Sequence, residues 1–278
     1  MGPCLPAVDP AAAYIQIARD SLASAGMERR ELDGVVYWIS SGGQTPSPVI
    51  VLIHGVNDQA GTWAPIVPAL VKKYRVIIPD LPGHGESEPR SGAIPMTMIL
   101  DRVARILDRE DARCFVLVGN SFGAWIAVLY ALAHPDRVEH LVLESGGGLA
   151  RPPAVPLTAT DRESAARVLR AVWGPNYVPR DWQIDSLMSR ASDSPLLRLT
   201  GLMEWFVEPR LATLNIPTTL VWGENDGVVP LSYGEAMQDA IRNARLKIIR
   251  DAAHIPHIQQ PERFLECLTE ISSPNARE

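Results

Sequence analysis

Gly119-Asn120-Ser121-Phe122-Gly123 stands between an apolar run, Cys114-Phe115-Val116-Leu117-Val118, and a run of helical character from Ala124 to Ala133. That order reads as strand, tight turn, helix. A serine at the apex of such a turn is held in a strained backbone conformation, and glycines two residues before and two after it leave room where side chains would clash with the neighbouring strand and helix. The hydroxyl is thereby pushed into the open. Amides at the start of the following helix add partial positive charge, so an oxyanion formed at a carbon attacked by Ser121 would find donors in place.

The rest of the chain repeats this alternation. Strand-like runs appear at Gly34 to Ile39, Val49 to Ile53, Tyr74 to Asp80, His140 to Leu143, Thr218 to Trp222 and Leu246 to Ile249. Helical patterns fall between them, around Met96 to Leu107 and from Pro261 to Ile271, where a proline occupies the first turn. Strands alternating with helices predict an α/β protein with a mostly parallel, doubly wound sheet. Residues 146 to 208 break the rhythm, being rich in Pro, Trp and Arg, with amphipathic pieces near 161–173 and 184–207 and no strand-like run. They read as a helical insertion. The expected division is an N-terminal helical extension over 1–32, a core over 33–145 and 209–273, and the insertion over 146–208. Within the extension, residues 10 to 25 have near-helical apolar spacing, behind Asp9 as an N-cap and ahead of Gly26 as a stop.

A chain of 278 residues with 46% hydrophobic and 21% charged residues can bury a full core. Its formal net charge of −6 and lack of a Lys/Arg cluster argue against nucleic acid as a partner. Apolar stretches such as Val49 to Ile53 have the length of buried strands, not of the roughly 20 residues a bilayer span requires. Met1 to Asp9 lacks the basic-then-apolar order of a signal peptide, so the expected location is cytoplasmic. Three scattered cysteines, Cys4, Cys114 and Cys267, suit neither a disulfide framework nor a zinc site. Cys114 reads as a small core residue of its strand.

A serine hydroxyl needs a base to take its proton and an acid to orient that base. In an open parallel sheet both should stand where strands end at their carboxyl side. Six histidines compete. His254 follows the last strand in Asp251-Ala252-Ala253-His254-Ile255-Pro256, a loop that can carry it over the sheet, and His257 in the same loop is its alternative. His54 and His84 lie beside glycines in turns and read as loop supports, while His134 and His140 read as structural. For the acid, Asp226 comes directly after the strand ending at Trp222; its rival is Glu144, at the end of the preceding strand. Glu224 and Asp80 read as loop supports. The order Ser121, Asp226, His254 is nucleophile, acid, base.

His54-Gly55, the loop from Asp80 to Ser87, Gly119 to Gly123, Gly223 to Pro230 and His254-Ile255-Pro256, in that order, resemble the motifs of the α/β-hydrolase family over nearly the whole chain from Gly34 to Ile271. The resemblance implies the α/β-hydrolase fold, backbone amides of Val56 and Phe122 as the oxyanion hole, and the 146–208 insertion as a helical cap. Position 121 is serine, where haloalkane dehalogenases and most epoxide hydrolases of this fold carry aspartate. Carbon–carbon hydrolases acting on ring-cleavage products usually have tryptophan after the catalytic histidine, and here Ile255 stands there, with Val56-Asn57-Asp58-Gln59 in place of their glycine-rich loop. His254 to Phe264 resembles carboxylesterases and acyl-thioester hydrolases.

The expected activity is therefore a serine hydrolase, a carboxylesterase that passes through an acyl-enzyme and needs no metal or organic cofactor. Acyl-thioester and carbon–carbon hydrolysis use the same three residues and stay open, as does a ligand receptor built on the same scaffold. Apolar side chains of the insertion point to a small, mainly apolar ester or acyl substrate, and Trp63, Trp125 and Trp205 are candidate pocket residues. Arg151, Arg167, Arg170 and Arg190 could instead read a substrate carboxylate. The expected partner is that small molecule, with neither nucleic acid nor a membrane; the N-terminal helix would suit a homodimer.

Overall fold

In the computed structural model of the protein, residues 10–42 and 47–269 are described, with the side chains of 10–15 left aside. Asp9, Cys4 and residues 270–271, where the last helix is expected to end, lie outside them. Helix α1 (Pro10–Ser24) leads into β1 (Glu28–Leu32), β2 (Val35–Ile39), β3 (Val49–Ile53), α2 (Val67–Leu70), β4 (Arg75–Pro79), β5 (Ile94–Pro95) and α3 (Met96–Arg109). Next come β6 (Phe115–Asn120), α4 (Phe122–Ala133) and β7 (Val138–Glu144). The long connection that follows carries α5 (Arg162–Trp173), α6 (Asp181–Ser189), α7 (Pro195–Arg198) and β8 (Leu199–Thr200). Then β9 (Thr218–Gly223), α8 (Leu231–Ala240), β10 (Ala244–Ile249), α9 (Pro256–Gln259) and α10 (Pro261–Thr269) follow to the last of the described residues.

Eight strands form one sheet in the order β1-β2-β4-β3-β6-β7-β9-β10. Pairing is antiparallel for β1 with β2 and β2 with β4, and parallel from β4 onward. Because side chains alternate along a strand, each central strand feeds two cores. Val51 and Ile53 of β3, Leu117 of β6 and Leu141 and Leu143 of β7 pack with α3, α4 and α8. Ile50, Leu52, Val116, Val118 and Val142 pack on the opposite face with Leu22 of α1, Val67 and Leu70 of α2, and Phe264 and Leu268 of α10. Both faces are covered, which is the doubly wound arrangement expected.

Three expectations change. The N-terminal 32 residues are not all helical: Glu28–Leu32 is a strand at the sheet edge, joined to β2 by the two-residue turn Asp33-Gly34, both with positive φ. Its charged side chains face water, which hid it from an apolar-run search and suits an edge strand. Cys114 is exposed, one residue short of β6, so it is not a core residue. The connection after β7 also contains a strand, since Leu199–Thr200 pairs in parallel with Ile94–Pro95. Its helical pattern over 184–207 is cut into short pieces at Pro195 and at Gly201, which takes a left-handed conformation.

Candidate active site

Ser121 sits between β6 and α4 with φ 53° and ψ −114°, a backbone state that non-glycine residues rarely adopt. Neighbouring glycines make it feasible: a β-carbon at Gly119 would strike the backbone of Gly123, and one at Gly123 would strike the carbonyls of Ile53 and His54. The Ser121 amide donates to the Glu144 carbonyl at 2.8 Å, tying the turn to the end of β7. Ser121 itself is half-buried. A β-carbon on Gly55 would lie 3.3 Å from Ser121 Cβ, so the chain at Gly55 and Val56 passes beside the serine. Phe122 is the first residue of α4, so its amide has no intrahelical acceptor.

His254 Nδ1 lies 3.1 and 3.0 Å from the two oxygens of Asp226. Asp226 is fixed in turn, because its Oδ1 accepts the amides of Val228 and Val229, each at 2.9 Å. An anionic acceptor on Nδ1 leaves Nε2 with a lone pair, the tautomer a base needs. Burial alone would lower the His254 pKa; the carboxylates of Asp226, Glu144 and Asp58 outweigh it and raise the group above 6.5. The Asn120 side-chain amide donates to the His254 carbonyl at 3.1 Å, so the residue before the serine anchors the histidine's backbone. Among the described residues the Ser121 hydroxyl makes no hydrogen bond to His254. In unliganded sites such bonds are often long and close only when substrate binds.

The two alternatives for base and acid prove to be each other's partners. Glu144 Oε2 accepts from His257 Nδ1 at 2.7 Å and its Oε1 accepts the His257 amide at 2.8 Å. His257 Nε2 is engaged by the Thr62 hydroxyl at 3.0 Å, and both Glu144 and His257 are fully buried. With both ring nitrogens occupied and no exposure, His257 is in no position to serve Ser121.

The loop supports behave as such. His54 Nε2 accepts the Leu81 amide at 2.9 Å, while Nδ1 donates to the Gly55 carbonyl at 2.7 Å. Burial holds its pKa down at about 4. His84 Nδ1 donates to the Pro82 carbonyl, and burial, with His54 nearby, depresses it to about 3. Asp80, pushed up to about 6 by burial, accepts the amides of Ala60 and Glu86 and thereby fastens the loop after β3 to the loop after β4.

Of the three tryptophans proposed for a pocket, Trp63 does not line one. Its exposure is 0%, and its ring lies tilted against those of His257 at 4.2 Å and Phe264 at 6.2 Å, inside the core. Trp125 and Trp205 are half-buried and joined, since Trp125 Nε1 donates to the Trp205 carbonyl at 2.9 Å. The Trp125 ring stacks on Phe206 and meets Phe122 edge-on.

A cavity of about 440 Å³ opens between Asn57, Asp58 and Gln59, the 83–90 loop, and the connection after β7. Leu157, Leu187 and Pro195 give it an apolar side, and Arg90, Arg190 and Arg198 a cationic one. None of Val56, Ser121, Phe122, Asp226 and His254 lines this cavity. Asn57 Oδ1 accepts from the Ser194 hydroxyl and the Leu196 amide, bonding the loop after β3 to the far side of this cavity.

Two kinds of contact had no sequence signal. The carbonyls of Ala171 and Val172, at the end of α5, accept the amides of Gly227 and His254 at 3.1 Å each, so α5 holds the loops of both acid and base. Gln259 bridges the Ala253 amide and the Trp173 carbonyl, each at 2.8 Å. Backbone carbonyls look alike in every sequence. Asn120 lay inside the quoted motif, where only its neighbours had a stated role.

A serine on a strand-to-helix turn and an imidazole–carboxylate pair, carried on loops after the strands of a mostly parallel sheet, are the arrangement expected of α/β hydrolases. The model of the alpha/beta hydrolase family matches residues 50–266, and the chain belongs to that family. It is 30% identical over 242 residues to a 2-hydroxy-6-oxononadienedioate/2-hydroxy-6-oxononatrienedioate hydrolase of Cupriavidus pinatubonensis, covering 77% of this chain and 83% of that one. With a pimeloyl-[acyl-carrier protein] methyl ester esterase of Aeromonas hydrophila it shares 28% identity over 244 residues, 80% and 94% of the two chains. A solved structure of a bacterial membrane phospholipase A superposes with a TM-score of 0.79 at 24% identity, covering 95% of this chain and 93% of that one. No helix among the described residues is long and apolar enough to cross a membrane.

Proposed function

We propose that this protein is a serine carboxylesterase acting through an acyl-enzyme. The observation that carries the reading is the strained Ser121 with the His254–Asp226 pair tethered beside it through Asn120. His254, held in its Nε2-basic tautomer by Asp226, takes the proton of Ser121 as the hydroxyl attacks an ester carbonyl. Amides of Val56 and Phe122 receive the developing oxyanion, and the proton passes from His254 to the departing alcohol. Water activated by the same imidazole then releases the acid. Residues 146–208 act as the cap over a core of 33–145 and 209–273; the bonds from α5 to the acid and base loops and from Asn57 to Ser194 support that role.

The likeness to an enzyme named for a dienedioate, together with Arg90, Arg190 and Arg198 on the cavity wall, favours a second reading in which the substrate bears a carboxylate and a carbon–carbon bond is cleaved. A fluorophosphonate probe tests the shared mechanism: wild type becomes covalently labelled and Ser121→Ala does not. Labelling of a folded Ser121→Ala variant at the wild-type rate refutes it. Relative kcat/KM for short p-nitrophenyl esters, acyl-thioesters and a vinylogous 1,5-diketone carrying a carboxylate then separates the chemistries.

A further inference from the structure

Glu144 and His257 take no part in the steps above, yet they are an ionisable pair sealed at 0% exposure within one residue's reach of the proposed nucleophile. Burying such a pair costs desolvation of both groups, and well-packed apolar residues in its place are often as stable or more so. The pair therefore calls for an explanation other than stability. Its bonding supplies one. Through its carbonyl Glu144 accepts the Ser121 amide, and through its carboxylate it accepts both the amide and the Nδ1–H of His257, three residues beyond His254. One residue thus spans the peptide of the nucleophile and the loop of the base.

The pair does not stop there. Thr62 joins His257 Nε2 to Asp58, which lines the cavity. Both oxygens of Glu144 act only as acceptors, which is the role of a carboxylate.

Resting on the serine-hydrolase reading, we propose that Glu144 and His257 are positioning residues of the hydrolytic centre. The buried pair pins the base-bearing loop to the strand end beside the nucleophile, and its carboxylate adds negative charge behind the His254 imidazolium.

The charged groups that act on His254 are Asp226 after β9, Glu144 at the end of β7 and Asp58 after β3; His257 is bonded to Glu144, and it and Arg190 at the α6 end act on Asp58. Asp226 orients His254 directly. Glu144 and Asp58 each raise its proton affinity without touching it. Glu144→Gln is the informative change, because the amide oxygen can still receive the His257 amide while the charge is lost.

The test is the rate of fluorophosphonate labelling of the full chain between about pH 5 and about pH 9, with thermal melts alongside. In Glu144→Gln the plateau rate falls about tenfold and the acid-limb midpoint moves down by about half a pH unit, since the neutral, basic form of His254 persists to lower pH. Glu144→Asp keeps the charge but shortens the reach, so its midpoint stays at the wild-type position while its plateau falls. A folded Glu144→Gln whose midpoint is unmoved overturns the electrostatic role, whatever its melting temperature. A folded Glu144→Asp that labels at the wild-type rate overturns the positioning role, and it does so even if the glutamine variant does not fold. Failure of the wild type to label would instead refute the serine-hydrolase reading on which the proposal rests.

Discussion

Replacing Asp226 by asparagine exchanges one oxygen for an NH2 group and should nearly silence the protein. Oδ1 of Asp226 accepts two backbone amides, from Val228 and Val229, at 2.9 Å each. An asparagine must turn its carbonyl oxygen to that corner, because its NH2 group cannot accept. The NH2 group then stands where Oδ2 was, 3.0 Å from His254 Nδ1. The NH2 group opposes a hydrogen on Nδ1, and Oδ1, 3.1 Å away but already accepting two amides, is a poor substitute acceptor, so the balance shifts to the Nε2–H tautomer, which presents a hydrogen to the serine in place of a lone pair. In serine hydrolases a tautomer reversal of this kind costs about 10⁴ in kcat, which is about 5.4 kcal/mol at about 1.36 kcal/mol per tenfold. Stability should fall by only about 1–3 kcal/mol, the worth of one hydrogen bond to a charged group, since the side-chain shape and both amide bonds are retained. Pseudo-first-order labelling by a fluorophosphonate, with a thermal melt of the same sample, measures both. A folded Asp226→Asn that labels within about tenfold of wild type would refute the assignment of Asp226 as the orienting acid.

The pH dependence follows from the carboxylates around His254. Because they raise its pKa above 6.5 and the base works only when neutral, the wild-type labelling rate should climb with pH through a midpoint above 6.5, and a midpoint below that value contradicts the electrostatic balance described. Trp63→Ala should cost about 3–5 kcal/mol of unfolding free energy in denaturant titrations, the price of removing a fully buried aromatic, with KM for a short ester nearly unchanged. A large KM increase at constant stability would return Trp63 to the substrate pocket.

Apolar runs made the inner strands legible because β3, β6, β9 and the second half of β7 are buried on both faces, so their central positions had to be hydrophobic or small. The edge strand β1 carries Glu28, Arg29, Arg30 and Glu31, and only the Asp33-Gly34 dipeptide of its hairpin turn signalled it. Ser121, Asp226 and His254 could be picked out because a relay of that type demands residues at strand ends; in the structure Ser121 follows β6, Asp226 follows β9 and His254 follows β10, with His254 bonded to Asp226. The buried Glu144–His257 pair was beyond reach for a different cause: its members stand 113 positions apart, each had been weighed only as a substitute for another residue, and nothing in a linear order says that two substitutes will meet. Trp63 was misplaced because a short 3₁₀ turn, Ala60–Trp63, directs it inward, and so brief an element leaves no periodicity to read.

The carbonyls of Ala171 and Val172 have a consequence for anyone who would exchange parts between relatives. Transplanting the stretch between β7 and β9 from another hydrolase, to import its selectivity, would keep the acceptors of Gly227 and His254 only if the donor's helix ends at the same place as α5. A chimera that ends its donor fragment before Ala171, or that grafts only residues after Trp173, keeps the host's own clasp and is the more promising place to cut.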